Sequence, residues 1–229
     1  MTAVESKFSE QQIAQFRSRF DDLGCAQLAD AAGEYITQLP IPLVPRNGHD
    51  RVCGPVFPVA TRDDMLPCLQ ALAAAPPGWV IFIHNETEPS EGLAGDIYTA
   101  SAEVQRLAGI VVNGAVRDLS DIASIPVPVF STQVNYVSAR TTDVLAERVP
   151  DTLEVAGCRI EPGDWIFGDP DGFLILPENR VSAVVAAGSV LREREERLRK
   201  AMRSEGKTLA ELTGLDDFIA GTGELKFNP

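Results

Sequence analysis

The most informative hydrophobic pattern lies in residues 79–118, where two apolar segments enclose a glycine-bearing loop and an amphipathic stretch. The segments WVIFIHN and GIVVN are rich in β-branched and aromatic residues, which is typical of strands covered on both faces. Between them, residues 96–108 predict a helix that ends at Gly109. This order predicts a right-handed βαβ unit with parallel strands, followed by a turn at Gly114.

The flanking segments predict outer helices and a second kind of sheet. Ser9 and Gln12 form a capping box before an N-terminal helix, and DMLPCLQALAAA predicts another helix. The glycine and prolines of RVCGPVFPVA suit an edge or bulged strand better than a central one. From about Thr152, short apolar runs separated by PGD and DPDG turns indicate antiparallel pairing. A parallel layer and an antiparallel layer can share one core with helices outside, which predicts a single α/β domain.

A long helix is predicted over residues 178–204, and one of its acidic residues lies on an apolar stripe. The stripe contains Val184, Leu191 and Leu198, and it also contains Glu195. Because an unpaired carboxylate costs several kcal/mol to bury, Glu195 must meet a cation, water or another chain. Glu196 falls off the stripe, so it is predicted to be a solvated charge.

Composition narrows the function classes. A net charge of −13 and a pI of about 4.6 argue against binding to nucleic acid or to an anionic membrane surface. With no apolar run of membrane-spanning length and no N-terminal signal pattern, a cytoplasmic location is predicted. Four cysteines without a CxxC pair, and only two histidines, argue against a structural zinc site. The cysteines are predicted to be small buried residues.

The βαβ unit should bring several polar residues to one rim, because parallel strands end at the same edge of a sheet. Taken singly, each has a structural explanation: Asp96 and Asp118 occupy helix-capping positions, and Arg117 suits a salt bridge. No GxGxxG or GxxxxGK[ST] segment follows a strand, which argues against a nucleotide site. Taken together, the residues indicate a site for a metal ion or a small anion. They are His84, Asn85, Gly92, Gly95, Asp96, Arg117 and Asp118.

Four segments in order resemble the RraA-like family, which groups 4-hydroxy-4-methyl-2-oxoglutarate and 4-carboxy-4-hydroxy-2-oxoadipate aldolases with ribonuclease-regulating RraA proteins. They are GLAGD, GIVVNGAVRD, PVF and PGDWIFGDPDGFLILP, and a charged helix follows them. The resemblance implies a three-layer swivelling β/β/α domain with one parallel and one antiparallel sheet. It divides the chain into an N-terminal helix (1–24), a single RraA-like domain that includes the long C-terminal helix (25–215), and a C-terminal tail (216–229).

The resemblance to the family's aldolases implies a metal-dependent lyase that acts on a 2-oxo acid through a pyruvate enolate, by retro-aldol cleavage or by oxaloacetate decarboxylation. Asp118 matches the ligand of Mg²⁺ or Mn²⁺, and Asp96 matches the aspartate that holds metal-bound water. Arg117 is expected to stabilise the enolate. The loop formed by Gly92, Leu93, Ala94, Gly95 and Asp96 is expected to bind the substrate together with Arg117, through backbone N–H groups.

The resemblance also implies a homo-oligomer, because family members form trimers or hexamers with active sites between neighbours. Glu195 matches the glutamate that an adjacent subunit supplies, with Glu196 as the alternative. One departure is Asn113, where many members carry aspartate in a DG-x-VRD motif. A second function class stays open, a non-catalytic RraA-like regulator that binds a protein partner.

Overall fold

Strands and helices alternate along the chain, and a computed structural model describes residues 6–87, 91–142 and 149–226. The strands are β1 (Thr37–Gln38), β2 (Val44–Pro45), β3 (Val52–Thr61), β4 (Val80–Asn85), β5 (Gly92–Ala94), β6 (Gly109–Val116), β7 (Val129–Val134), β8 (Leu153–Val155), β9 (Cys158–Ile160), β10 (Trp165–Asp169) and β11 (Gly172–Leu176). The α-helices are α1 (Glu10–Asp22), α2 (Cys25–Ala32), α3 (Met65–Ala74), α4 (Asp96–Val104), α5 (Leu119–Ile122), α6 (Val181–Glu205), α7 (Leu209–Thr213) and α8 (Leu215–Ile219). Single 3₁₀ turns span Gly33–Tyr35 and Glu178–Arg180.

The main sheet has the strand order β1-β11-β10-β3-β4-β6-β7-β2, with β5 added beside β6. The strands β3, β4, β6 and β7 are parallel, whereas β1, β11 and β10 are antiparallel to their neighbours, as β2 is to β7. The strands β8 and β9 form a separate antiparallel hairpin. The predicted α/β fold with parallel and antiparallel sheet structure is therefore confirmed, as is the parallel βαβ unit built on β4, α4 and β6.

Strand β3 is shared by the parallel and antiparallel parts of the sheet. Its first residues pair with β10, and from Val56 onward it pairs with β4. Every residue of the strand except Ala60 is buried. The strand is central, so the prediction of an edge or bulged position was wrong.

The prolines of β3 are tolerated because neither removes a hydrogen bond from the parallel ladder. Pro55 precedes the start of pairing with β4 at Val56. The carbonyl of Pro58 accepts a bond from the Asp151 N–H at 2.9 Å, on the side of the strand that faces away from β4. An N–H and a C=O of one residue point to the same side of a strand, so the N–H that Pro58 lacks would also face away from β4.

The helix of the βαβ unit ends earlier than its pattern predicts. Helix α4 stops at Val104, and Arg106 takes a left-handed conformation with φ 59°. Gly109 starts β6 instead of ending the helix, and a Cβ there would lie 2.6 Å from Cγ2 of Val52. The glycine is thus required by close packing of two strands. At the N-terminus, the predicted capping box of Ser9 is confirmed.

Three apolar layers make up the core. One lies between the parallel strands and helices α3, α4 and α5, a second faces the β8–β9 hairpin, and a third joins the antiparallel strands to α1, α2 and α6. The four cysteines are buried and free, as predicted, and burial raises the pKa of the Cys68 thiol to about 12. No helix in the described part of the chain combines the length and apolarity needed to cross a bilayer.

The GDPDG turn between β10 and β11 anchors the start of α2. Asp169 is 4% exposed and accepts hydrogen bonds from the N–H of Cys25 at 2.8 Å and of Asp171 at 2.9 Å. One oxygen thus serves a helix N-terminus and the other closes the turn. This segment of the chain therefore has a structural role.

Gly54 lies in β3 just before parallel pairing begins at Val56, and we predict that Gly54→Ala destabilises the fold. A Cβ would lie 2.8 Å from the Gly78 carbonyl oxygen and 3.2 Å from Cβ of Ala108. Overpacking of this kind costs about 1–3 kcal/mol, measurable by urea unfolding. The control is Gly33→Ala, where nothing lies within 4 Å of the new Cβ. Equal stability of the two variants would contradict the prediction.

Candidate active site

Arg117 and Asp118 follow the carboxyl end of β6 and form an ion pair. Nε of Arg117 lies 3.0 Å from Oδ2 of Asp118, and both side chains are about two-thirds buried, at 35% and 28% exposed. Asp118 has a left-handed backbone, φ 58° and ψ 40°, a conformation that aspartate tolerates better than most residues. It occupies the N-cap position of α5, yet its side chain makes no capping hydrogen bond. The carboxylate can therefore take another partner besides Arg117.

Oδ2 of Asp118 is buried and has no hydrogen-bond donor in the described part of the chain. Arg117 is close enough for an ion pair, but the contact does not have hydrogen-bond geometry, so the two observations are compatible. A buried carboxylate oxygen without a donor is costly unless a cation or water meets it.

Within residues 6–87, 91–142 and 149–226, no cluster of three or more His, Cys, Asp or Glu is arranged to hold a metal. A metal here would have to be one that accepts a single carboxylate and keeps water ligands, as Mg²⁺ does.

Two glycines of the GLAG loop allow this ion pair to pack against the loop. A Cβ on Gly95 would overlap Oδ2 of Asp118 and lie 3.1 Å from Cγ of Arg117. A Cβ on Gly92 would lie 3.2 Å from Cβ of Arg117 and 3.0 Å from the carbonyl oxygen of Asn135. The positions need glycine because side chains and backbone approach closely, not because of unusual backbone angles.

The loop residues do not all take the predicted substrate-binding role. The N–H of Gly92 donates to the Val137 carbonyl at 2.6 Å, so it is not available to a substrate carboxylate, and that part of the prediction was wrong. Leu93 is fully buried in the core, and the Ala94 carbonyl accepts the Arg117 N–H at 3.0 Å. These three residues form strand β5, which pairs with the end of β6 and accepts the backbone hydrogen bond of Arg117.

The remaining loop residues line a pocket of about 320 Å³ together with the ion pair. Asp96 is the first residue of α4, with Gly95 as N-cap, and no side chain caps this helix. The positive end of the helix dipole therefore forms part of the pocket wall. The other walls come from α3 and from Ser138. The lining residues are Met65, Leu69, Leu72, Gly95, Asp96, Ile97, Tyr98, Ser101, Arg117, Asp118 and Ser138.

The α3 wall is the part of the site that sequence reasoning missed. Met65, Leu69 and Leu72 follow the i, i+4, i+7 spacing of one helix face, a pattern from which the sequence analysis predicts a helix but no part of the site. Leu69 is 43% exposed, which a purely structural face would not require. An apolar helix face with an exposed member, next to a charged loop, is thus a usable indication of a pocket wall.

Gly114 does not form the predicted turn. It lies inside β6, where the pairing with β7 shifts register between Val112 and Ala115. The Thr132 hydroxyl lies 3.0 Å from the Gly114 nitrogen and 3.1 Å from its carbonyl oxygen, so it bridges the irregularity. The strand therefore continues to Val116 and brings Arg117 to the rim without a turn.

His84 and Asn85 do not line the pocket. Nδ2 of Asn113 lies 3.0 Å from Nδ1 of His84, and an amide nitrogen donates to this ring nitrogen when the ring carries its proton on Nε2. Ile83 packs into the layer under α3 and α4, so strand alternation turns His84 to the opposite face of the sheet. Asn85 is held by Asp63, whose N–H and Oδ1 it contacts at 3.0 and 2.8 Å. His84 is thus a rim residue with a satisfied hydrogen bond.

Glu195 is partly buried on α6, as its place on the apolar stripe predicts. Its side chain is 28% exposed, accepts a hydrogen bond from Nε2 of Gln27 at 3.1 Å, and lies 3.5 Å from a guanidinium nitrogen of Arg199. Glu196 is 61% exposed and pairs with the same arginine at 3.1 Å. Neither glutamate lines the pocket of its own chain. Any catalytic role for Glu195 therefore depends on a second subunit.

The RraA-like family (Aldolase/RraA) matches residues 25–175. The chain belongs to the RraA-like family. A relative from Halalkalibacterium halodurans, named "Putative 4-hydroxy-4-methyl-2-oxoglutarate aldolase", is 30% identical over 171 residues, which cover 74% of this RraA-like chain and 80% of the relative.

Two solved structures extend the comparison. An uncharacterized protein from Pseudomonas syringae pv. tomato is 25% identical, with a TM-score of 0.73, over 86% of this RraA-like chain and 96% of the other. The RNA-processing inhibitor RraA from Thermus thermophilis is 26% identical, with a TM-score of 0.61, over 66% and 91% of the two chains. Both share the RraA-like fold described above.

The contact between His84 and Asn113 predicts how an aspartate at position 113 would change the pKa of His84. Burial lowers the pKa of His84 from its ordinary value of 6.5. Just below pH 6.5, His84 therefore binds a proton in the unfolded chain but not in the folded chain. This difference lowers the free energy of unfolding as the pH falls below 6.5. In Asn113→Asp, a carboxylate beside Nδ1 should raise the pKa of His84 and lessen this acid loss.

Histidine NMR titration would measure this pKa, with the resonance assigned by its absence in His84→Asn. Asn113→Ala removes the amide without adding charge and serves as the control. An unchanged pKa in Asn113→Asp would show that the carboxylate does not reach the ring.

Proposed function

We propose that this chain is a divalent-metal-dependent carbon–carbon lyase that acts on a 2-oxo acid through a pyruvate enolate. One observation carries the proposal: a buried Asp118 oxygen, without a hydrogen-bond donor among the residues that the structure describes, lies beside Arg117 at the wall of a pocket. The aldolase name of the H. halodurans relative supports the lyase class.

The residues present fit a hard divalent cation. Asp118 would hold Mg²⁺ or Mn²⁺ through its carboxylate, and Asp96, in the same pocket, would hold a water ligand. When bound, the ion supplies Lewis-acid stabilisation of charge on a carbonyl oxygen. Sparse protein ligation of this kind leaves positions for a chelating 2-oxo acid.

Arg117 provides a fixed cation where negative charge develops. In retro-aldol cleavage, the C4 hydroxyl loses its proton, the C3–C4 bond breaks, and its electron pair forms the pyruvate enolate, which then takes a proton at C3. Strand β5 and the Gly95 contact hold the guanidinium in place before the reaction, and such preorganised charge stabilises an enolate. Decarboxylation of oxaloacetate gives the same enolate, with carbon dioxide as the departing fragment, and needs no base for a hydroxyl proton.

The base for the hydroxyl proton would come from another subunit. Three apolar side chains on α4 and after β7 are strongly exposed, Ile97 at 77%, Val104 at 83% and Tyr136 at 89%, and Ile97 lines the pocket. Surface of this kind, on α4 and after β7, supports a homo-oligomer such as a trimer or hexamer. In that arrangement, Glu195 of the partner subunit would act on water at the pocket mouth.

A second candidate is a non-catalytic regulator. The similarity to the RraA of Thermus thermophilis and the net charge of −13 favour a surface that attracts a basic protein partner. The two functions separate by assay: after dialysis and addition of Mg²⁺, only the lyase should release pyruvate from oxaloacetate faster than an enzyme-free control that contains the same Mg²⁺ concentration. A wild-type chain without such turnover would reject the lyase and leave the regulator.

Asp118→Ala should abolish the metal-dependent turnover while the fold survives. Loss of the only proposed protein ligand predicts a fall of at least about 100-fold, measured as pyruvate release. Titration with Mn²⁺, followed by its electron paramagnetic resonance, measures metal binding independently of activity. The matched control is Asp121→Ala, an exposed acid three residues further on. Wild-type Mn²⁺ affinity in Asp118→Ala would remove this residue from the proposed site.

A shared active site predicts complementation between inactive subunits. Asp118→Ala and Glu195→Ala chains, mixed under conditions of subunit exchange, should regain measurable aldol cleavage because some interfaces contain both intact residues. Mass spectrometry would verify that mixed oligomers form. If mixed oligomers form and remain as inactive as either parent, Glu195 is a structural acid that serves Gln27 and Arg199.

A further inference from the structure

A second cavity, of about 230 Å³, lies at the end of the main sheet opposite the proposed active site. Its lining residues are Ala14, Arg17, Ser18, Phe20, Asp21, Arg51, Val52, Cys53, Ala108 and Pro128. Val52 begins β3, and Ala108 and Pro128 directly precede β6 and β7. Because these strands run parallel, the cavity adjoins their amino ends, whereas Arg117 and Asp118 follow the carboxyl end of β6.

The outer wall of the cavity is one flank of helix α1. The residues of this flank, at i, i+3, i+4 and i+7 spacing, are Ala14, Arg17, Ser18 and Asp21. The side chains of Ala14 and Ser18 are small, so a hollow remains beside Arg17. Helix α1 lies outside residues 25–175, the part of the chain that matches the family. The cavity is therefore formed between the family domain and a helix that precedes it.

Two guanidinium groups and one carboxylate line this cavity, in a chain whose net charge is −13. We propose that the cavity binds a small oxyanion, a ligand with a carboxylate or phosphate group, between Arg17 and Arg51. The planar fork of N–H donors that arginine presents matches both of these groups. The site is separate from the proposed lyase function and needs neither its metal nor its pocket.

Arg51 is held in place before any ligand binds. Its Nη1 donates to the carbonyl oxygen of Phe20 at 2.7 Å and to that of Leu23 at 2.6 Å, at the C-terminal end of α1. Its Cζ lies 5.4 Å from the centroid of the Phe20 ring, within the range of a cation–π contact. These hydrogen bonds use one nitrogen, and Nε and Nη2 carry further N–H donors. A guanidinium that is already fixed loses little entropy when it binds an anion.

The charges of Arg17 and Asp21 both act on the floor of the cavity. Burial raises the pKa of the Cys53 thiol, and Arg17 opposes this shift while Asp21 adds to it, so both charges lie near the thiol. The thiol is neutral at physiological pH and brings no negative charge to the floor. Asp21 is exposed on α1, where water weakens its repulsion of an anion. A bound oxyanion would therefore gain two cations against one screened acid.

Calorimetric titration of the full chain with inorganic phosphate and with succinate tests the proposal. The buffer is freed of metal by a chelating resin and kept at constant ionic strength with sodium chloride. We expect saturable binding of at least one anion with a Kd below about 10 mM, and the tighter anion identifies the preferred group. Direct titration is needed because phosphate also stabilises folded proteins by exclusion from their surfaces. If neither anion binds saturably up to that concentration, the proposal is overturned.

Arg17→Gln should weaken this binding at least about 10-fold, because charge-assisted hydrogen bonds to the anion are lost. Arg17 is only partly buried, so the variant should fold. The matched control is Arg19→Gln, which removes the same charge from an exposed position of α1 outside the cavity lining. Unchanged affinity in Arg17→Gln, or an equal loss in Arg19→Gln, would contradict the site.

Arg117→Gln separates this cavity from the proposed active site, whose arginine could also attract an anion. Binding in the cavity should persist in this variant. Loss of binding in Arg117→Gln, together with unchanged binding in Arg17→Gln, would locate the anion at the other end of the sheet and overturn the proposal.

A substitution that fills the cavity provides a test without a change of charge. Ser18 is exposed on α1, so Ser18→Leu should fold, and its larger side chain should occupy the hollow and weaken binding at least about 10-fold. The control is Gln15→Leu, at an exposed position of the same helix that does not line the cavity. Equal affinities in these two variants would show that the anion does not occupy the cavity.

Discussion

The fold depends on the way in which one strand directs its hydrogen bonds. Successive residues of β3 point their N–H and C=O groups to opposite sides, so the strand can serve β10 on one side and β4 on the other. The antiparallel strands could not be attached to the parallel ones without a strand of this length, buried along nearly all of it. Every parallel strand that ends at the pocket rim takes its position, directly or through a neighbour, from β3.

The site then follows from close approach at the end of β6. The left-handed Asp118 turns the chain out of the sheet, and the glycines of the preceding loop leave room for its carboxylate and for Arg117. Both charged groups are held by backbone structure on either side, by β5 and by α5. The carboxylate is thereby fixed in place with one oxygen that no donor in the described ranges satisfies. Such an arrangement costs folding free energy, which a bound cation would offset.

Much of this was predictable from sequence, for identifiable reasons. The spacing and composition of apolar residues predicted β4, α4 and β6. Strands covered on both faces appear as continuous apolar runs, whereas amphipathic helices show apolar residues at helical spacing. The position of β3 was missed because prolines usually indicate an edge strand. A proline also fits a central strand when the N–H that it lacks would not bond to the neighbouring strand, and that depends on how the strands pair, which the sequence does not show. The turn at Gly114 was wrong for a related reason, since a glycine can also mark an irregularity that a side chain such as Thr132 repairs. Whether Glu195 reaches a pocket depends on a second copy of the chain, which no local pattern encodes.

The two ends of the main sheet have a consequence for how the protein behaves in a crowded solution. Its outermost strands, β1 and β2, are each two residues long, and they follow one another in sequence with only residues 39–43 between them. Long, flat outer strands recruit other chains through unpaired backbone groups, whereas strands this short, one of them ending in Pro45, offer little for a foreign strand to extend. A sheet rich in buried apolar residues is thereby protected from amyloid-like growth at these two margins, without relying on surface charge to keep molecules apart.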